Sequence, residues 1–219
     1  MDRAASRSPT ARLDAAALVR AQRLLRRRDP VLGAVIRRVG PPRLRRAGAP
    51  YRSLLRSILF QQLAGKAALA IERRFLAIFG GRYPEPDRLL ATRDAKLRAA
   101  GLSRQKIAAM KAVARAFRDG EVRPRRFPHM LDEEIIEAVT RIRGIGEWTA
   151  HMLLMFSLHR PDVLPVGDYG VRKGVQALYG LPELPKPADL ERIAEPWRPY
   201  RTVASWYVWR HMDPSTGGG

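Results

Sequence analysis

Three groups of residues in this 219-residue chain could do chemistry. The first is Ile142-Arg143-Gly144-Ile145-Gly146-Glu147-Trp148-Thr149-Ala150, two glycines flanking one aliphatic residue between two stretches of helical pattern. Glycine reaches positive φ and lets a second backbone approach to contact. The helix after such a turn opens with N–H groups that lack intrahelical acceptors and with the positive end of its dipole. Together these grip a phosphate without reading sequence. The second group is a single isolated acid, Asp168, 22 residues beyond Gly146 and directly behind the Pro165/Gly167 bend. It stands where a helix cap would stand, and capping is compatible with catalysis. The third is a set of rings, Tyr200, Trp206, Tyr207 and Trp209, on one C-terminal stretch, with Trp148 in the turn segment. Rings at helical spacing are more often core than ligand surface, so the sequence leaves both readings open.

Much chemistry is excluded. With no cysteine, the chain has no disulfide, thiolate zinc site, iron–sulfur cluster or thiol nucleophile. The four histidines, at 129, 151, 159 and 211, show no metal-ligand spacing. Charge points to a partner instead. Forty-one basic residues against 21 acidic ones leave +20 and a pI near 11.4. Such a field attracts polyanions, nucleic acid first among them. Arginine dominates the basic residues, as a GC-rich coding habit would produce, but that habit does not explain the excess over acids. No apolar run approaches the roughly 18 residues of a membrane span, and the N-terminus lacks the apolar core of a secretory signal. The expected location is the cytoplasm, on the nucleoid in a bacterium.

The elements that must position these residues read as helices almost throughout. Asp14 is placed to cap a helix carrying Leu18, Leu24 and Leu25, and Asp29-Pro30 puts a cap before a first-turn proline. Helical periodicity then marks Leu54 to Leu63, 67–79, 87–99, 104–118, 132–141, 148–158, 168–179, 187–195 and 199–212, while alternation of period two is nearly absent. The expected fold is all-α, with ten or so short helices in two lobes and a ligand cleft between them. Residues 13–50 with 163–212 would form one lobe. Residues 51–162 would form the other, ending in a helical hairpin at about 134–158. Residues 1–12 and 213–219 read as tails, the first basic enough that a transit peptide is the alternative.

With these residues in view, the chain resembles the helix-hairpin-helix DNA glycosylases, most closely their alkylpurine branch, over roughly residues 29–212. Four signatures carry the resemblance: Asp29-Pro30; Ile58-Leu59-Phe60-Gln61-Gln62-Leu63-Ala64-Gly65-Lys66-Ala67-Ala68; Gly144 to Ala150; and Leu164-Pro165-Val166-Gly167-Asp168-Tyr169. The chain looks like the compact form, without an additional N-terminal α/β domain. The resemblance implies an enzyme that everts an alkylated purine from double-stranded DNA and hydrolyses its N-glycosidic bond. An extruded base is required because the bond is inaccessible within the duplex. A carboxylate beside the sugar would stabilise the positive charge that grows as the base departs. The resemblance places that carboxylate at Asp168. It places Trp209, Trp148, Met152 and Tyr169 about the base, where rings attract an electron-poor or cationic purine. Met152 stands where well-known relatives have a tyrosine, which implies a wider pocket. Leu63 would be the wedge that fills the vacated stack, the alternative being a core leucine. Three partners are open to Gln61 and Gln62: the DNA backbone, the estranged base, or a neighbouring loop. Gly144, Ile145, Gly146 and Thr149 would hold the backbone.

Relatives that nick the strand carry a lysine at the position of Trp148, so no Schiff base is expected here. No cofactor is implied beyond a structural monovalent cation, Na or K, on the backbone carbonyls of Thr140, Ile142 and Ile145. A monomer is the simplest expectation. Two rival readings remain at this stage. One is a helix-hairpin-helix module that binds DNA without catalysis; the other is a basic RNA- or ribosome-associated protein, which explains the charge alone.

Overall fold

The computed structural model describes residues 12–44, 48–63 and 65–212, so the expected tails, apart from Arg12, lie outside the described residues. Among the described residues the secondary structure is twelve α-helices and two short 3-10 helices, with no strand. The chain divides into two compact units, Met1–Arg46 with Leu154–Gly219 as unit 1 and Ala47–Leu153 as unit 2. The divisions fall four and nine residues before the boundaries at 50/51 and 162/163 drawn from sequence.

Unit 1 draws its core from both ends of the chain. Helices α1 (Ala15–Arg28) and α2 (Pro30–Val39) contribute Leu25, Leu32 and Ile36; the C-terminal part contributes Val171, Val175, Trp197 and α12 (Arg201–Met212). Thr202 through Val208 of α12 are buried without interruption. A helix enclosed on every side has no single apolar stripe, and even the polar Thr202 and Ser205 are buried within this stretch. Three aspartates start helices as their positions in the sequence suggest. Asp14 accepts the N–H of Ala17 at 2.6 Å, Asp29 that of Leu32 at 2.9 Å, and Asp168 that of Val171 at 2.7 Å, opening α10 (Tyr169–Tyr179).

Asp29 does more than cap. It is 6% exposed, and its second oxygen accepts the indole N–H of the fully buried Trp197 at 2.7 Å and the hydroxyl of Tyr179. Burial, and then this hydrogen bond, push the Tyr179 hydroxyl above the usual phenol range, so it stays a donor. One carboxylate thereby ties α2 to α10 and to the 3-10 turn Glu195–Trp197.

Unit 2 comprises α3 (Pro50–Phe60), α4 (Gly65–Ile78), α5 (Pro86–Ala91), α6 (Asp94–Ala99), α7 (Arg104–Arg118), a 3-10 turn at Pro124–His129, α8 (Asp132–Thr140) and the start of α9 (Glu147–Phe156). Helix α7 packs against both α3 and α5. The single helix expected over 87–99 is two. The Thr92 hydroxyl bonds the Arg88 carbonyl at 2.8 Å, a local bond that competes with helix continuation. The Thr92 carbonyl turns instead to the Lys111 ammonium at 2.9 Å, which also pairs with Asp94.

Asp29→Ala removes a cap and strands two buried donors. The expected loss is about 3 kcal/mol or more, with Asp29→Asn losing less because it keeps one acceptor oxygen. Urea unfolding of the three proteins measures both.

Candidate active site

In unit 2 the two glycines of the hairpin serve different ends. Gly144 has φ 89, and a methyl added to it would lie 2.5 Å from Ala109 Cβ and 3.2 Å from Ala109 Cα on α7. It is glycine because the backbone turns left-handed there and lies against another helix. Gly146 has no positive φ, and a methyl there would meet nothing within 4 Å. Nothing inside the protein requires its small size. The Ile145 N–H donates to the Ile142 carbonyl at 3.0 Å and its side chain is buried, so Ile145 builds the turn. The Gly146 carbonyl accepts from Thr149 and Ala150 as α9 begins.

The wedge candidate lies on a turn that is not helical. Periodicity extends the helix to Leu63, but α3 stops at Phe60. Gln61 is its C-cap and Gln62 adopts φ 54, a left-handed conformation that non-glycine residues rarely hold. Leu63 is 38% exposed, which removes the core alternative. Two side chains secure this turn. The Gln61 amide donates to Thr149 Oγ1 at 3.0 Å, and Lys106 Nζ donates to the Leu59 carbonyl at 2.8 Å. Gln61 thus has a partner within the protein, on a helix and not on the neighbouring loop that the sequence left open. Thr149 is itself buried, and Lys106, its pKa pushed down by burial, closes the C-terminal end of α3. Trp148 is half-buried and Met152 is buried.

In unit 1 the loop before Asp168 is fastened to the first turn of α12. The Thr202 hydroxyl donates to the Arg160 carbonyl at 2.6 Å and accepts the Val163 N–H at 3.1 Å; the Thr202 N–H reaches the Pro161 carbonyl at 3.0 Å. The Asp162 carboxylate, only 7% exposed, is held by Arg201 at 2.7 Å and Arg198 at 2.8 Å. The Asp168 N–H then closes a turn onto the Pro165 carbonyl at 2.9 Å. One oxygen of Asp168, Oδ1, accepts the Val171 N–H and, at 2.9 Å, the indole N–H of Trp209. The structure thus brings Asp168 and Trp209 together. Tyr169, the next residue, is 67% exposed.

Of the four rings near the C-terminus, Trp206 and Tyr207 are core, 5.0 Å apart and edge-on, whereas Trp209 and Tyr200 are half-buried. Phe156, not singled out in the sequence, lies against Trp209 with ring centroids 5.8 Å apart. Its signal in the sequence was its place at the end of α9, one helical turn beyond Met152. Gly170 was also missed, although a glycine two residues inside a capped helix is itself a signal.

Gly144→Ala should lower stability by about 2 kcal/mol or more through strain and the clash with α7. Gly146→Asp should leave thermal melting unchanged and weaken binding of every DNA sequence alike, read by titration of unrelated duplexes.

Residues 55–199 match the HhH-GPD superfamily of base excision DNA repair proteins. The chain is 40% identical over 163 residues to DNA-3-methyladenine glycosylase 1 of Schizosaccharomyces pombe, covering 74% of this chain and 72% of that one. It is 29% identical to the alkylbase DNA glycosidase-like protein mag2 of the same yeast, covering 87% of this chain and 92% of that one. Among solved structures, the S. pombe 3-methyladenine DNA glycosylase in complex with abasic DNA superposes with a TM-score of 0.83 at 36% identity, covering 87% of this chain and 95% of that one. A DNA-3-methyladenine glycosidase of Bacillus halodurans gives 0.73 at 37% identity, with 87% of each chain covered. The region matched spans α3 to the second 3-10 turn, the hairpin and Asp168 included, and the chain belongs to the HhH-GPD superfamily of base excision DNA repair proteins.

Proposed function

We propose that this protein is a monofunctional DNA glycosylase that removes alkylated purines of the 3-methyladenine and 7-methylguanine type and leaves an intact abasic site. The observation that carries the reading is the fixed carboxylate of Asp168, one oxygen held by a helix N–H and by an indole N–H. Its electrostatic role needs a stationary negative charge, because a preorganised group adds no reorganisation cost as charge develops on the sugar. The relatives named for 3-methyladenine support the substrate class.

The parts divide the work. Gly146 and the first turn of α9 offer N–H donors to a phosphate. Leu63, exposed on its left-handed turn, fills the space left by the everted nucleotide, with Gln62 beside it. Within unit 1, Trp209 and Phe156, with Tyr169 beside Asp168, offer rings to the base; Trp148 and Met152 of unit 2 are the further candidates for contact with it. Trp148 carries no amine, so the abasic product is not attacked and the strand stays whole. The carbonyls of Thr140, Ile142 and Ile145 are neutral oxygen donors, a set suited to a monovalent rather than a divalent ion. Ile142 already accepts one N–H and keeps a second lone pair. Such an ion would brace the hairpin and supply positive charge beside a phosphate. The protein acts as a monomer in the compartment that holds the chromosome; no described helix is long and apolar enough to cross a membrane.

Duplex oligonucleotides carrying 3-methyladenine or 7-methylguanine test this reading. The wild type should release free base and yield strands that break only after alkaline heating. Asp168→Asn should be slower by about a hundredfold or more, with DNA affinity kept or raised. Equal rates overturn the catalytic role, and no release by either protein favours a DNA-holding module.

A further inference from the structure

Helices α10 and α12 meet through two glycines, Gly170 and Gly174, one turn apart on the same face of α10. Neither has a positive φ, so the backbone would accept alanine at both. Alanine would also be the better helix former by about 1 kcal/mol at each position. Space decides instead. A methyl on Gly174 would lie 2.4 Å from Val208 Cγ1 and 3.2 Å from both the Val208 carbonyl oxygen and Met212 Cγ. A methyl on Gly170 would lie 3.1 Å from Asp168 Oδ1, 3.1 Å from Trp209 Nε1 and 3.2 Å from Trp209 Cδ1. The hydrogen bond between the indole and the carboxylate therefore passes over the bare Cα of Gly170. On another side the indole meets Phe156, which limits the room for it to move away.

We propose that Gly170 is a positioning residue for catalysis: by leaving its Cβ position empty, with Gly174 setting the helix separation, it lets the Trp209 indole N–H reach Asp168 and orient its carboxylate. This rests on the reading of Asp168 as the catalytic carboxylate. Trp209 thus acts through its edge on Asp168 as well as through its face. Val171 and Trp209 donate to the same oxygen from different helices, and two donors fix a carboxylate plane that one leaves free to swing. Loss of the indole donor leaves DNA binding by the hairpin of unit 2 intact and misplaces only the charge.

Gly170→Ala should lower the single-turnover rate of base release at saturating DNA by about tenfold or more, the order of one hydrogen bond to a charged group. The dissociation constant for lesion-bearing DNA should change by less than about twofold, because phosphate contacts dominate affinity. Gly174→Ala should lose rate likewise, and Val208→Ala in that background, by removing the atom the methyl meets, should regain it. Combining Gly170→Ala with Trp209→Phe should be no worse than the worse single change, since both remove one bond. A rate unchanged in Gly170→Ala overturns the proposal. So does a loss of rate matched by equal losses of affinity and melting temperature, which would make Gly170 a packing residue only. The indole N–H resonance of Trp209, identified by its absence in Trp209→Phe, gives a readout independent of activity. It should move in Gly170→Ala and in Asp168→Asn, and a resonance unmoved in both overturns the bond. A wild type that releases no base would defeat the glycosylase reading, while the resonance would still decide the geometry.

Discussion

A carboxylate held in one fixed direction needs donors that do not move with it. Asp168 has one donor from its own helix, the Val171 N–H, and one from α12, the Trp209 indole. The second depends on where two helices meet, and much of unit 1 serves that meeting. Helix α12 is enclosed along Thr202–Val208 and so has little freedom to slide. Its first turn clamps the loop before Asp168 through Thr202 and Arg201; its last turn touches the carboxylate. The same helix holds both ends of the segment that presents the acid. Asp29, from α2, fastens the far end of α10 through Tyr179.

The same economy shapes the electrostatics. Several acids are engaged internally: Asp29 with Trp197 and Tyr179, Asp162 with Arg198 and Arg201, Glu72 with Arg56 and Tyr83. No acidic residue lies between Asp29 and Glu72, while α1 exposes Arg20, Arg23 and Arg27. A chain of +20 that turns these acids inward presents its arginines to phosphate. In the hairpin Gly144 is set against α7, while Gly146 has open space around its Cα. Asp168 belongs with the acids already engaged by protein donors, which explains how a lone carboxylate persists in a molecule built to attract polyanions.

Much of the architecture was legible because its causes are local. The aspartate caps at 14, 29 and 168, the glycine turn and the helical periods follow from φ/ψ preferences and hydrogen bonds between near neighbours. Errors came where distant groups intervened. The helix expected over 87–99 breaks at Thr92, whose hydroxyl bonds the Arg88 carbonyl and whose own carbonyl meets Lys111, 19 residues away. The helix expected to reach Leu63 stops at Phe60, where Lys106 takes the Leu59 carbonyl and Gln61 reaches Thr149, 88 residues on. For Leu63 the spacing left a core leucine open as the alternative to a wedge; after the left-handed Gln62 it is exposed.

The residues alone determined that this protein is all-α, strongly basic and free of thiol chemistry, with a glycine turn between two helices and one acid after a Pro/Gly bend. Those properties reside in composition and in contacts a few residues apart. Which ring meets the acid was decided only in three dimensions. Trp206, Tyr207 and Trp209 are equivalent in type and neighbours in sequence, yet helical rotation turns two into the core and sends one over Gly170 to Asp168. The physical reason is that a contact across 41 residues depends on helix separation and azimuth, which no local preference encodes.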